Sequence, residues 1–263
     1  MKHILLSLLV VAVLASCATT TSSTGRRQYV GGVSQDQLNQ LGAQAFTEAK
    51  QKGPLSTDAK QNAYVRCVVN ALVQQLPAQQ RAIQWETAVF SEKEPNAYAL
   101  PGGKVGVNTG IFSVAKNQDQ LASVIGHEIG HVVERHHDER ITRQMGAAGA
   151  VQLLGALAGD YGQLAAQGGG LLAQTGFLLP GSRAQESEAD VVGQRMMAQA
   201  GFDPRAAVAL WQNMIAAGGS RPPQWLSTHP DPQARISELQ ARANQLVPTY
   251  EQARAAGRRP QCG

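Results

Sequence analysis

No apolar run in these 263 residues is long enough to cross a bilayer. The longest, Ile4 to Ala15, holds twelve residues, where a spanning helix needs about 20. A second apolar stretch, Ala147 to Ala158, is broken at Asp160 and again at Gly168-Gly169-Gly170. Nor is there a strong charge of one sign. The formal net charge is +4, and Arg258-Arg259 is the only close basic pair in the tail. So small and dispersed a surplus gives no argument for a nucleic-acid partner. Only three cysteines are present, too few for a disulfide-rich scaffold. No internal repeat is found. What is present is 43% apolar residues, enough for one good core or a modest two-lobed domain.

The N-terminus is a leader. Met1-Lys2-His3 is a short basic start to the apolar run, and Leu14-Ala15-Ser16-Cys17 closes it. This is the design of a secretory signal over residues 1–16. The closing four residues resemble a bacterial lipobox, cut before Cys17 so that its thiol carries lipid; the alternative is an ordinary secretory signal with an incidental cysteine. Ala18 in place of aspartate favours, by resemblance to bacterial lipoproteins, the outer membrane and its periplasmic side. Several acyl chains anchor firmly where one is marginal. Residues 17–33, rich in Ser, Thr and Gly without apolar periodicity, read as a flexible tether. In an oxidising compartment Cys67 and Cys262 form an even pair, and a disulfide would tie the tail to an early helix. The alternative is a buried thiol and a free one.

Residues 34–247 read as the folded domain and 248–263 as a polar tail. Ser34 caps a helix to about Lys52, with Leu38, Leu41 and Phe46 inward; Thr57-Asp58 opens a second, to about Leu76. Ile83 to Phe90 is strand-like. Pro95 to Gly110 reads as two short strands around Pro101-Gly102-Gly103. Residues 146–180 allow two readings, loosely packed helices with a long loop or a mobile lid. The class expected is α+β, mostly helical, with one small sheet.

Within Asn117 to Arg140, apolar Leu121, Val124, Ile125, Ile129, Val132 and Val133 recur at helical spacing. There stands His127-Glu128-Ile129-Gly130-His131. Positions four apart lie about 40° past one turn, so both imidazoles share a face and can grip one Zn²⁺. Glu128, one residue on, can serve as general base without taking a coordination position.

Catalytic zinc wants a third protein ligand. His137 lies where some metallopeptidases place one, but those break the helix with glycine where Glu134 stands. On a continuous helix His137 points roughly 80° away from His127. Glu134 shares the ligand face, yet three ligands down one helix cannot surround an ion, so it reads as a solvated charge. Glu186 and Asp190, four apart, share a face of a second helix, with Glu188 pointing roughly oppositely. A Glu from there completes a His-His-Glu set, and an acid one turn on can accept the free N–H of a ligand histidine. Such pairs are also common on solvated helices.

Four stretches together carry a resemblance. They are Asn96 to Gly103, His127 to His136, Ser182 to Asp190, and Ser227-Thr228-His229-Pro230-Asp231-Pro232. In this order they resemble the HtpX-like gluzincin metallopeptidases, which include CAAX prenyl proteases and BepA-type periplasmic enzymes. The resemblance implies a zincin-type peptidase domain and one Zn²⁺ held by His127, His131 and Glu186. It implies Glu128 as base, Asp190 as outer support, and His229 beside the metal, on the oxyanion or in the open position. Arg235 matches a supporting arginine. The strand Gly103-Lys104-Val105-Gly106-Val107-Asn108 resembles the edge that aligns substrate. The implied function is cleavage of misfolded or misassembled envelope proteins, with a partner in the assembly machinery unidentified. The alternative is a self-inhibited or non-catalytic lipoprotein that acts as a chaperone or assembly factor. No spanning helix and no repeat array after 247 sets the chain nearest the short lipoprotein members.

Overall fold

The computed structural model describes residues 18–146, 181–218, 229 and 232–263. The signal segment, Cys17, the expected lid at 146–180 beyond Gly146, and residues 219–228 and 230–231 lie outside them.

The folded chain opens on a hairpin, β1 (Ala18–Thr21) against β2 (Arg27–Val30), antiparallel with Thr19 opposite Tyr29. This corrects the flexible tether expected over 17–33. The segment is polar because its partners are buried acids, not because it is solvated. Ser23 binds Glu134 through backbone N–H and hydroxyl, Arg26 binds Glu139 and Glu188, and the Gly31 N–H donates to Asp138 at 3.0 Å.

Ser34 caps α1 (Gln35–Lys52) in a reciprocal box with Gln37, which satisfies two otherwise orphaned backbone donors. Asp58 caps α2 (Ala59–Val73) through the amides of Lys60 and Gln61. Its face of Val65, Val68, Val69 and Leu72 is fully buried. Each such side chain contributes roughly 1.5–3 kcal/mol on leaving water. A short α3 (Ala78–Arg81) leads to β3 (Glu86–Phe90), which starts three residues later than Ile83. β4 (Ala97–Leu100) and β5 (Lys104–Asn108) flank the turn, where Gly102 and Gly103 take φ of 78° and 73°. Only glycine adopts such angles without strain.

The sheet order is β3-β5-β4, with β5 parallel to β3 and antiparallel to β4. The stretch Gly103 to Asn108 is therefore no edge. Gly103 lies in the turn, and Lys104 to Val107 are paired on both sides. Val105 and Val107 are wholly buried, as a central strand requires. The edge that packs on the active helix is β4.

Asn117 caps that helix, α4 (Gln118–Val133), through the amide of Gln120. Every residue from Gln120 to His131 is buried, so α4 is a central helix and not a one-faced one. It packs against α2, β4, α6 (Arg183–Ala200) and α7 (Ala206–Gly218). The helix does not run on to Arg140 as expected. It stops at Glu134, Arg135 turns left-handed with φ of 55°, and a new helix, α5, occupies 136–146. A left-handed non-glycine costs roughly 1–2 kcal/mol; an Arg135–Asp138 ion pair at 2.5 Å spans the turn.

Helices α4 and α6 meet through small residues. A Cβ on Gly193 would stand 2.7 Å from the Gly126 carbonyl carbon, and one on Gly130 would stand 3.0 Å from the Ala189 oxygen. The two backbones touch, and the side chains one turn away converge. Finally α8 (Pro232–Ala255) runs through Pro248, so the polar tail expected from 248 begins as helix. Beyond it Cys262 is bonded to Cys67 of α2, with Cα atoms 5.4 Å apart. No helix among the described residues is long and apolar enough to cross a membrane.

Candidate metal centre

The helical period sets the first pair. His127 and His131, one turn apart on α4, bring their rings to 4.7 Å and their Nε2 atoms to 3.0 Å. Ser182 and Gln185 form a capping box that starts α6, so Glu186 falls in its first turn and Asp190 in the next. Across the glycine contact, Glu186 Oε2 lies 3.3 Å from His127 Nε2, and Oε1 lies 3.5 Å from His131 Nε2. His229, three positions before the start of α8, has its ring 5.0 Å from that of His127 and 5.8 Å from that of His131. One donor atom from each of His127, His131, Glu186 and His229 lies within 4.8 Å of all the others.

These residues fit a metal ion on two grounds. Glu186 Oε1 is buried and has no hydrogen-bond partner among the described residues, and an orphaned buried oxygen is costly. The facing Nε2 atoms can share only a proton or a cation. Zinc accepts such a nitrogen and oxygen set.

The outer contacts fix the rings. Asp190 Oδ1 lies 3.0 Å from His127 Nδ1, which holds the proton there and turns the Nε2 lone pair inward. Arg235 donates to Asp190 at 2.6 and 2.7 Å and to Glu186 Oε2 at 3.0 Å, its guanidinium 4.1 Å above the Trp211 ring. Burial works to raise the Asp190 pKa, but the Arg235 charge and the bonds from His127 and Arg235 hold it well below the usual range. Burial likewise opposes ionisation of Glu186, yet the nearby His229, His127 and Arg235 bring its pKa down to about 2. Desolvation, with the neighbouring His127 and His136, keeps the His131 pKa well below normal. A ligand histidine must be neutral, and a ligand carboxylate ionised.

Glu128 stands beside this group, 5% exposed, with Oε1 3.3 Å from His229 Nε2. His127, Glu128, His131, Glu186, Asp190, His229 and Arg235, all singled out above, thus come together. His137 is buried with its ring 6.5 Å from that of His131, outside the donor set. Glu134 is 4% exposed and bound by Ser23, so it is not the solvated charge expected. Residues that the sequence reading passed over are His136, Glu188 and Arg26. Glu188 does point away from the donors, but into a buried cluster and not into solvent.

Two histidines one turn apart, a glutamate between them on the same helix, and a carboxylate from a second helix define a metallopeptidase site. Residues 59–243 match the family described as Peptidase family M48, and the chain belongs to that family. Its metallopeptidases use zinc, in keeping with the donor set here. Among curated proteins, the Mitochondrial metalloendopeptidase OMA1 of Schizosaccharomyces pombe is 41% identical over 160 residues, 60% of this chain and 46% of that one. The Beta-barrel assembly-enhancing protease of Escherichia coli (strain K12) is 31% identical over 225 residues, 81% of this chain and 45% of its own. The mitochondrial Metalloendopeptidase OMA1 of Danio rerio is 32% identical over 231 residues, 83% of this chain and 48% of its own. The chain spans about half the length of these relatives.

Proposed function

We propose that this chain is a zinc endopeptidase tethered by lipid on Cys17 to the periplasmic face of a bacterial outer membrane, where it cuts unfolded or misassembled envelope proteins. The observation that carries the catalytic reading is Glu128 placed at the rim of a buried His127-His131-Glu186-His229 donor group. Zinc, when bound, supplies a Lewis acid that polarises a carbonyl and acidifies water. His127, His131 and Glu186 would hold it, with Asp190 and Arg235 fixing His127 and Glu186. Glu128 takes the proton from the attacking water and returns it to the departing amine nitrogen. His229, in reach of both Glu128 and the donor group, donates to the developing oxyanion. The edge strand β4 receives the substrate as an added strand, which holds its backbone without selecting side chains.

The location rests on Leu14-Ala15-Ser16-Cys17 and Ala18. The substrate class draws on the printed name of the Escherichia coli relative, which speaks of β-barrel assembly; the OMA1 relatives are named as mitochondrial. A second reading, a self-inhibited or purely binding lipoprotein, is favoured by one observation: a His229 nitrogen already lies within the donor group.

The test is Glu128→Gln, expected to retain zinc and to lose at least about 10²-fold in cleavage of an unfolded protein. Undiminished cleavage would remove Glu128 from the mechanism. His229→Ala separates the two readings. A rise in rate marks His229 as a gate, and a fall marks it as an oxyanion donor.

A further inference from the structure

Each ligand histidine turns its second ring nitrogen outward, but the two meet different partners. His127 Nδ1 meets the Asp190 carboxylate. His131 Nδ1 meets another imidazole, His136 Nδ1, at 2.8 Å. His136 Nε2 in turn lies 2.9 Å from Glu188 Oε2. Glu188 receives Arg26 Nε at 2.7 Å and the Thr24 hydroxyl. The Arg26 Nη1 and Nη2 atoms continue onto Glu139 at 3.1 and 2.8 Å. His136 and Glu139 are wholly buried, and Glu188 nearly so.

Only one proton assignment satisfies this series. A histidine that gives its Nε2 lone pair to a metal carries its proton on Nδ1. His131 therefore donates to His136 Nδ1, whose lone pair must face it. The His136 proton is then on Nε2 and donates to Glu188. Arg26 and Thr24 fill the remaining acceptor sites of the carboxylate. Reversing any one proton leaves two donors or two acceptors facing each other.

We propose that His136, Glu188 and Arg26 form a positioning chain for His131, which makes the N-terminal hairpin β1–β2 a working part of the metal centre. The geometry exists because of the break after α4. Five residues along an unbroken helix lie about 140° apart, so His136 could not reach His131. The left-handed turn at Arg135 swings His136 back over it. The consequence is a ligand ring held in one orientation and one tautomer by a hydrogen-bond series that ends on a buried carboxylate. Outer partners of this kind set metal affinity by about 10–100-fold.

The inference rests on His131 being a zinc ligand. Its test uses the full chain and two readouts, the zinc dissociation constant against a competing chelator and the visible spectrum of the cobalt(II)-substituted protein. His136→Phe fills the space without a ring nitrogen; it is expected to weaken zinc about 10–100-fold and to alter the cobalt bands. His136→Asn sets an acceptor oxygen near the place of Nδ1 and recovers most of the loss. Arg26→Ala, altered at the partly exposed end of the chain, shifts both readouts in the same direction by less, and Arg26→Lys less again. Wild-type affinity and spectrum in both His136→Phe and Arg26→Ala overturn the proposal. Should His136→Phe not fold, unchanged readouts in Arg26→Ala alone overturn it. His127→Ala keeps the two readings apart. If it loses zinc while His136→Phe does not, only the positioning chain fails; if it binds zinc normally, the metal assignment itself fails.

Discussion

Gly193 of α6 lies so close to Gly126 of α4 that a single methyl group between them would sit 2.7 Å from backbone atoms. This contact sets how far Glu186 and Asp190 reach into the imidazole pair. One turn from it, the Asp190 carboxylate meets His127 at 3.0 Å.

Gly193→Ala is therefore expected to push the helices apart. Overpacking of this kind destabilises by roughly 1–3 kcal/mol, and the displaced ligand and support should weaken zinc about tenfold or more. Gly146→Ala is the control, since a Cβ there meets nothing within 4 Å among the described residues. Calorimetry and chelator competition on both variants decide the matter. Equal zinc affinity in the two would show that the close approach does not position the ligands.

Tyr98 offers a pH test of the sheet. Its ring lies over Gly106, where an added Cβ would strike the ring carbon Cζ at 2.2 Å, and its hydroxyl is buried with no partner among the described residues. Burial pushes the phenol pKa up to about 12, against about 10 in the unfolded chain. Below pH 10 the phenol is neutral in both states and adds no pH dependence. Between 10 and 12 the unfolded chain releases the proton and the folded one does not, so stability falls as pH rises, by up to about 2–3 kcal/mol. Tyr98→Phe should match or slightly exceed wild type near neutrality, because an unsatisfied hydroxyl is removed. Its urea midpoint should then fall less steeply above pH 10. Parallel pH curves for the two proteins would contradict the burial argument.

The Cys67–Cys262 bond closes a loop with a sequence separation of 195. Losing such a cross-link costs roughly 2–5 kcal/mol. Cys67→Ser, Cys262→Ser and the double variant should melt at one common, lowered temperature. All three should keep wild-type zinc affinity, because neither cysteine belongs to the donor group. A single variant as stable as wild type would rule the bond out as a support of the fold.

What the sequence made legible was local or chemically forced. His127 and His131 share a face by the helical period alone, and Ser34 and Asp58 announce their helices by cap chemistry. Glu186 lies far along the chain, and no spacing rule selects it over another buried acid; the four-motif resemblance did. His136 was beyond reach because its position depends on a left-handed turn made by arginine, where the pattern to look for is glycine. The β5 strand was assigned to an edge because strand order is a tertiary fact, and an alternating run does not say how many neighbours it has. The hairpin was misjudged for a related reason. Ser23, Thr24 and Arg26 are polar because their partners are polar and buried, so composition alone resembled a solvated linker.

That hairpin would limit how far a domain anchored through Cys17 could travel. A sixteen-residue flexible leash would let the domain wander roughly 20 Å from its point of attachment. With β1 beginning at Ala18, a lipid on Cys17 leaves no such leash. On the attachment proposed above, the metal centre would then be held close to the bilayer surface, within reach only of polypeptide that stays there.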